Sequence, residues 1–176
     1  LNMGIILKDL GKLKEAELYI RKAIELKSNF AEAHNNLGLI LKDLGKSKEA
    51  ELSIHNAIKI NPNCAEAYSN LGNIMRDFGN LKEAELYYRK AIKLKPNFVE
   101  THLELGNILK DIGKLEDAEL STRKAIEIKP DFADAYLILG AILAAHGKEK
   151  ESNECYKKSI NLKPWSISAA WRINSK

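Results

Sequence analysis

The sequence predicts an all-α solenoid built from antiparallel helix pairs, and three observations predict it. The ten glycines form two series with a period of 34 residues, at positions 4, 38, 72, 106 and 140 and at 11, 45, 79, 113 and 147. The four prolines, at 62, 96, 130 and 164, share this period. Between them, apolar residues recur at helical spacing. A fixed period of this length indicates an internal repeat whose units stack on one another.

The period divides the chain into four complete units and two partial ones. The complete repeats are 31–64, 65–98, 99–132 and 133–166, and residues 1–30 are a repeat that lacks its first four positions. Residues 167–176 begin a further or capping helix. We therefore predict one repeat array over residues 1–166.

Each unit reads as two helices. In the first complete unit, one helix is predicted over Ala31–Leu44 and ends at Gly45, since glycine is favoured just beyond a helix end. A second helix is predicted over about Lys48–Ile60 and ends at Pro62. Loops this short make the two helices antiparallel neighbours.

A start motif precedes the first helix of several units. It reads Asn-x-x-Glu at Asn63 and Glu66, and recurs at Asn29/Glu32 and Asn97/Glu100, with a weaker Asp131/Asp134 version. In this pattern the Asn side chain is expected to cap the helix.

Small residues recur where helices must approach one another. The glycines at 38, 72, 106 and 140 fall inside first helices, where glycine costs about 1 kcal/mol relative to alanine, so close backbone contact is expected there. Alanine recurs in second helices at 16, 50, 84 and 118 and at 23, 57, 91 and 125. Ser152 and Ser159 replace it in the last unit, as expected of a terminal repeat with an unpartnered face.

Composition excludes several classes of function. The chain has 176 residues, a net charge of +4, and 23 Lys but only 5 Arg, which is a poor match to nucleic-acid recognition. No apolar run is long enough to span a membrane. Cys64 and Cys155 match no metal or redox spacing, so free thiols and a cytoplasmic location are expected. The chain begins with Leu1, so we expect that the natural N-terminus is missing, and a leader could have been lost with it.

The repeat closely resembles the tetratricopeptide repeat (TPR). The family pattern of aromatic, Leu-Gly, Gly, Ala, aromatic, Ala and Pro appears as Tyr68, Leu71, Gly72, Met75, Gly79, Ala84, Tyr88, Ala91 and Pro96. Most of it returns at Tyr136, Leu139, Gly140, Leu143, Gly147 and Pro164. The departures are His34, His102, Thr122 and Ser28, which are expected to weaken packing locally. The resemblance implies a right-handed superhelix whose first helices line a concave, peptide-binding groove.

The resemblance also implies which residues line that groove. Repeat position 6 places Asn2, Asn36, Asn70 and Glu104 there, followed by Ile138. The three asparagines resemble the asparagine ladder of O-linked N-acetylglucosamine transferases, whose amides grip a peptide backbone. A carboxamide both donates and accepts hydrogen bonds, so it can pair with any peptide unit. The alternative is that these are ordinary surface asparagines. Positions 5 and 9 add Asn35, Asn73 and Asn107.

Charged pairs occupy positions 12 and 13 of the same helices. They are Lys8-Asp9, Lys42-Asp43, Arg76-Asp77 and Lys110-Asp111, replaced by Ala144-Ala145 in the last unit. One interpretation is a strip that contacts ligand charges. The other is local ion pairing, such as Asp43 with Lys46 three residues on. At position 2, Glu32, Glu66, Glu100 and Asp134 are expected to complement helix dipoles.

Other sites are not expected. The clamp by which some TPR domains hold chaperone C-terminal carboxylates needs cations where this chain has Leu1, Glu66 and Asn70, so that partner is excluded. His34 and His102 occupy the aromatic packing position, and His55 and His146 have no catalytic or zinc-site spacing. Neither catalysis, a metal nor a cofactor is predicted, and neither nucleic acid nor membrane is an expected partner.

Three functions remain open. The leading one is a non-catalytic interaction module that binds an extended peptide or protein segment in its groove. The second is the substrate-presenting arm of a larger transferase, and the third is a scaffold that self-assembles end to end. Trp165 and Trp171 are predicted to cap the end of the array or to form an interface.

Overall fold

The computed structural model describes residues 1–163, and ten α-helices account for most of them. No strand forms in this part of the chain. The helices are α1 (Asn2–Asp9), α2 (Leu13–Leu26), α3 (Ala31–Asp43), α4 (Ser47–Ile60), α5 (Ala65–Asp77), α6 (Leu81–Leu94), α7 (Val99–Asp111), α8 (Leu115–Ile128), α9 (Ala133–Ala145) and α10 (Glu149–Leu162). The predicted all-α fold of two helices per repeat is confirmed.

The chain forms two compact units, the first over Leu1–Pro96 and the second from Asn97 onward. In the first unit, α1 packs on α2, α3 on α4 and α5 on α6. Each second helix also contacts the first helix of the next repeat, as α2 does with α3 and α4 with α5. In addition α3 contacts α5, so these first helices lie side by side.

The second unit repeats this arrangement. Here α7 packs on α8 and α9 on α10, and both α7 and α8 contact α9. A core cluster of Leu103, Ala125 and Ala135 lies among these helices, with Val99 and Phe132 against it. In each unit the first helices therefore form one layer and the second helices another.

The glycine after each first helix adopts the conformation that its position predicts. Gly45 has a φ of +75°, and its N–H donates to the Lys42 carbonyl oxygen at 2.9 Å. The next N–H, of Lys46, donates to the Leu41 carbonyl oxygen at 2.8 Å. These two bonds satisfy carbonyls that the helix end would otherwise leave unpaired. The helix ends at Asp43, one residue before the predicted end.

The predicted Asn caps are wrong. Helix α5 begins at Ala65 with Cys64 as its N-cap, and no side chain caps it. The acidic residue of the motif instead ties the two helices of a repeat together. Glu66 accepts a hydrogen bond from Lys95 Nζ at 2.7 Å, and this bond, followed by one from its own backbone N–H, lowers the pKa of Glu66. Asp134 and Lys163 make the same link at 2.9 Å.

Gly72 marks the close helix contact that the sequence predicts. A Cβ atom built there would lie 2.6 Å from Cε1 of Tyr88, well inside van der Waals contact. Tyr88 on α6 is completely buried, and its hydroxyl donates to Oδ1 of Asn73 on α5 at 2.7 Å. Glycine is needed here because the tyrosine ring occupies the space of a side chain.

The serines of the last repeat are not explained by an unpartnered face. Ser152 and Ser159 are only 3% and 6% exposed. Their hydroxyls donate to the carbonyl oxygens of Gly140 at 2.7 Å and Ala133 at 2.8 Å. Both hydroxyls therefore fit inside the α9–α10 pair because each finds an acceptor there.

Charged side chains link the second helices of the first unit. Glu17 on α2 accepts hydrogen bonds from Arg21 at 2.8 Å and from Lys46 at 2.9 Å, and Arg21 also reaches Glu49 on α4 at 3.2 Å. The predicted Lys46–Asp43 pair is wrong, because Lys46 turns toward the preceding repeat. Hydrogen bonding to Lys46 lowers the pKa of Glu17, and Arg21 adds to this against the opposing effect of partial burial.

The Glu17 network predicts a pH dependence of stability. Because its pKa is lower in the folded chain than the ordinary value of 4.5, Glu17 stabilises the fold above pH 4.5. This contribution is lost as the pH falls through the folded-state pKa. We expect Glu17→Gln to be less stable than wild type in urea unfolding at pH 6.5, and the difference to shrink steadily below pH 4.5. Glu15→Gln, on the exposed face of the same helix, is the control. A difference that does not change with pH would contradict this account.

Candidate functional site

The candidate site is the exposed face of the first helices. On α3 and α5 it consists of the side chains at repeat positions 5, 6, 9, 12 and 13, which we call the inner face. Asn36, Asn70 and Asn73 are half-buried here. The resemblance described above implies this set, and the contact between α3 and α5 brings its members onto neighbouring helices.

Two predicted residues of the inner face bind each other. Nδ2 of Asn70 donates to Oδ1 of Asn35 at 2.9 Å, and Asn35 is 9% exposed. A carboxamide has two N–H donors and an acceptor oxygen. Asn70 therefore keeps one donor and its oxygen, while the bond fixes the orientation of its amide.

A second asparagine of the inner face is held from behind. Oδ1 of Asn73 accepts the hydrogen bond from the buried Tyr88 hydroxyl. This bond uses the oxygen of the Asn73 amide and not its NH₂ group. The aromatic side chain that fills the core thus also positions a polar group of the candidate site.

One charged pair of the inner face joins two repeats. Lys42 Nζ lies 3.0 Å from Oδ2 of Asp77, and Arg76 lies 3.4 Å from the other oxygen of the same carboxylate. Lys8 and Asp9 are 4.0 Å apart. Sequence reasoning placed these residues on one face but missed the Lys42–Asp77 pair, because it joins different repeats. Asp43, at position 13 of the same repeat as Lys42, is exposed.

The remaining predicted residues lie at the ends of this set or in the second unit. Asn2, at the start of α1, is exposed. On α7, Glu104 and Asn107 are half-buried, and Lys110 lies 3.0 Å from Asp111. On α9 the same positions carry Ile138 and Ala144-Ala145, so the polar series stops there. Trp165 and Trp171 lie outside the described residues.

The histidines do not meet on the inner face. His102 is buried and His34 half-buried at the aromatic position, and His55 is exposed 3.8 Å from Glu51. His146 lies between Glu119 at 3.4 Å and Glu116 at 3.5 Å, a contact that the sequence did not reveal. Lys148 and Arg123 also bind Glu119, and their hydrogen bonds outweigh its burial, so the pKa of Glu119 is lowered.

The geometry also bears on metal binding, membrane insertion and thiol chemistry. Over residues 1–163, no three His, Cys, Asp or Glu side chains are grouped as a metal site would require. Of the ten helices in this range, none combines the length and the hydrophobicity needed to cross a bilayer. Cys64 and Cys155 are free thiols, as predicted.

Helix pairs of this length, glycines at the predicted turns and polar first-helix positions together define a helical-repeat array. Tetratricopeptide repeat models match residues 31–64 and 65–98, and others match 1–30 and 133–164. Two more, also described as tetratricopeptide or TPR repeats, match 87–119 and 106–147. The chain belongs to the tetratricopeptide repeat family. Arrays of this family are generally modules for protein interaction, and this chain is a protein-interaction module.

Solved structures share the fold at low identity. MamA from residue 41 onward, from Desulfovibrio magneticus RS-1, is 20% identical with a TM-score of 0.81, over 93% of this chain and 92% of that one. YrrB, titled a TPR protein with an unusual peptide-binding site, is 24% identical with a TM-score of 0.76, over 98% and 89%. Pseudomonas aeruginosa pilF is 18% identical with a TM-score of 0.85, over 91% and 73%. A comparison with curated protein sequences gives no match.

Proposed function

We propose that the chain binds an extended peptide or protein segment along the inner face of its first helices. The observation that carries this proposal is the pair Asn36 and Asn70. They occupy the same repeat position on helices that contact each other, and both are half-exposed. Asn70 is held by Asn35 with one donor and one acceptor still unused. An amide in this state can pair with a peptide N–H and C=O whatever the ligand side chain.

The spacing of the repeats suits an extended ligand. Packed helix axes lie about 10 Å apart. An extended chain advances about 3.3 Å per residue, so successive asparagines would meet roughly every third peptide unit. Because backbone groups are the same at every residue, a ligand gripped in this way is selected mainly by its extended conformation.

The paired charges fit such a tolerant site. Lys42 and Arg76 both contact Asp77, and the exposed Asp43 supplies the second negative charge. The inner face of α3 and α5 therefore does not require a ligand of one sign. A charged ligand side chain would replace one member of an existing ion pair. It would therefore gain less affinity than it would beside an unpaired charge. The peptide-binding site described for YrrB, which shares this fold, supports the proposal.

The proposal predicts a loss of affinity when the two amides are removed. The loss of about one net hydrogen bond of about 0.5–1.5 kcal/mol per asparagine sums to about 1–3 kcal/mol. We expect Asn36→Ala with Asn70→Ala to weaken binding by about tenfold to a hundredfold. The ligand would be selected from a random 12-residue display library on the wild-type chain, and its Kd measured by fluorescence anisotropy.

Asn63→Ala with Asn80→Ala is the matched control, because these asparagines are exposed and lie outside the inner face. It should bind the selected peptide as wild type does. If the library yields no peptide, or if both double variants bind it as tightly as wild type, the inner face is not a peptide-binding surface. Thermal unfolding of each variant confirms that it folds.

A further inference from the structure

Successive repeats of the first unit differ in the side chains that fill the space between their two helices and the second helix of the preceding repeat. In repeat 65–98, Tyr68 on α5 is 3% exposed, and Lys90 Nζ lies 4.4 Å from the centre of its ring. Tyr87 on α6 is half-buried, and this burial raises its pKa. Tyr68 and Lys90 are close enough to affect that pKa as well. Two aromatic rings and a cation therefore occupy this location.

Repeat 31–64 lacks all three groups. His34, Ser53 and Asn56 stand at the positions of Tyr68, Tyr87 and Lys90, each 34 residues earlier. The small Ser53 side chain is buried, and its hydroxyl donates to the His34 carbonyl oxygen at 2.9 Å. No side chain of this repeat takes the space of the missing rings.

A cavity of about 290 Å³ lies at this location, between α2, α3 and α4, and we call it the outer cavity. Leu37, Leu41 and Leu52 form its apolar wall, and His34, Ser53 and Asn56 lie beside them. Leu37 and Leu41 are otherwise buried, whereas Leu52 is 64% exposed at the mouth. This volume is at the low end for ligand pockets and suits one large side chain.

The outer cavity is separate from the inner face. It is lined by positions 4, 7 and 11 of α3, whereas the inner face uses positions 5, 6, 9, 12 and 13. The other walls come from the second helices α2 and α4. Binding here would therefore not depend on Asn36 or Asn70.

The rim of the outer cavity carries one carboxylate more than it has cations. Arg21, Glu25 and Glu49 all line the cavity. Glu49 binds Arg21, which also binds Glu17, and Lys46 is the second cation beside Glu17. The charges of this group are therefore balanced. Glu25 has no cation within ion-pair distance among residues 1–163. Asn56 stands where the next repeat has the cation Lys90, so the rim carries the carboxylate of Glu25 without a partner and lacks that basic group.

We propose that the outer cavity binds a segment of a partner protein in which an aromatic residue is next to a basic one. The ring would rest against Leu37 and Leu41, as the chain's own tyrosines fill the next repeat. The basic side chain would lie at the rim near Glu25, where it supplies the charge that Asn56 does not. The segment would thus complete repeat 31–64 with the groups that repeat 65–98 carries itself.

The test uses the whole chain and three short peptides, acetyl-Tyr-Lys-amide, acetyl-Tyr-Glu-amide and acetyl-Ala-Lys-amide. Methyl NMR signals of Leu37, Leu41 and Leu52 report on the ring. We expect acetyl-Tyr-Lys-amide to shift them saturably with a Kd on the order of 1 mM. The Tyr-Glu peptide should bind at least several-fold more weakly, and the Ala-Lys peptide should cause no saturable shift. An absence of saturable shifts with the Tyr-Lys peptide would overturn the proposal, and so would equal binding of all three peptides.

A variant that copies the next repeat provides the control. His34→Tyr with Ser53→Tyr and Asn56→Lys gives repeat 31–64 the residues of repeat 65–98, and it should abolish the saturable shifts. Unchanged shifts in this variant would also overturn the proposal. Should the triple variant not fold, Glu25→Gln changes only an exposed side chain. It should weaken the Tyr-Lys peptide several-fold and leave the Tyr-Glu peptide no weaker, whereas unchanged Tyr-Lys affinity would refute the rim contact.

Discussion

Tyr88→Ala is expected to lower the free energy of unfolding by about 3–5 kcal/mol. The ring is completely buried beside Gly72, and its removal leaves a cavity that the packed α5–α6 pair cannot close fully. Tyr88→Phe keeps the ring and removes the hydroxyl bond to Asn73, so it should cost only about 1 kcal/mol. Urea unfolding followed by circular dichroism measures both. An alanine variant within about 1 kcal/mol of wild type would show that the ring does not hold these helices together.

Gly72→Ala is expected to destabilise the chain by about 1–3 kcal/mol through overpacking. The new Cβ would meet the Tyr88 ring at 2.6 Å. Combined with Tyr88→Ala, the same change should cost much less, because the atoms it collides with are gone. The two effects should therefore be strongly non-additive in a double-mutant cycle.

Gly79→Ala separates the two reasons for glycine in this repeat. Gly79 has open space around its Cβ position but a φ of +79°. Its substitution should cost about 1–2 kcal/mol from backbone strain. Tyr88→Ala should not relieve that cost. If the Gly72 and Gly79 substitutions behaved alike in the cycle, close contact would not be the reason for Gly72.

The helices could be predicted from sequence because the residues that end them act locally. Gly45 and its counterparts adopt a positive φ wherever they occur in the repeat, so the first helix of repeat 31–64 ends within one residue of its predicted end. The prediction from the start motif was wrong because the contacts of its residues are not decided locally. Glu66 bonds Lys95 as well as its own backbone N–H, and the bond to Lys95 depends on the packing of the two helices.

The residues of the candidate site could be proposed from the sequence, but the contacts between them could not. Register places Asn36 and Asn70 at the same position of successive helices. It does not show that Asn70 binds Asn35, or that Lys42 binds Asp77, because each pair joins different positions of different repeats. His34 was visible as a departure from the aromatic pattern. The cavity beside it depends on three helices and could not be read from the sequence.

Binding of the ligand backbone by the inner-face amides is the central feature of the proposed function. The most direct measurement follows the side-chain NH₂ signals of Asn36 and Asn70 by ¹H–¹⁵N NMR during addition of a peptide selected on the wild-type chain. We predict that both signals shift saturably with the Kd found by anisotropy, and that those of Asn63 and Asn80 stay in place. Unmoved Asn36 and Asn70 signals at saturation, with shifts confined to the second helices, would contradict this binding mode.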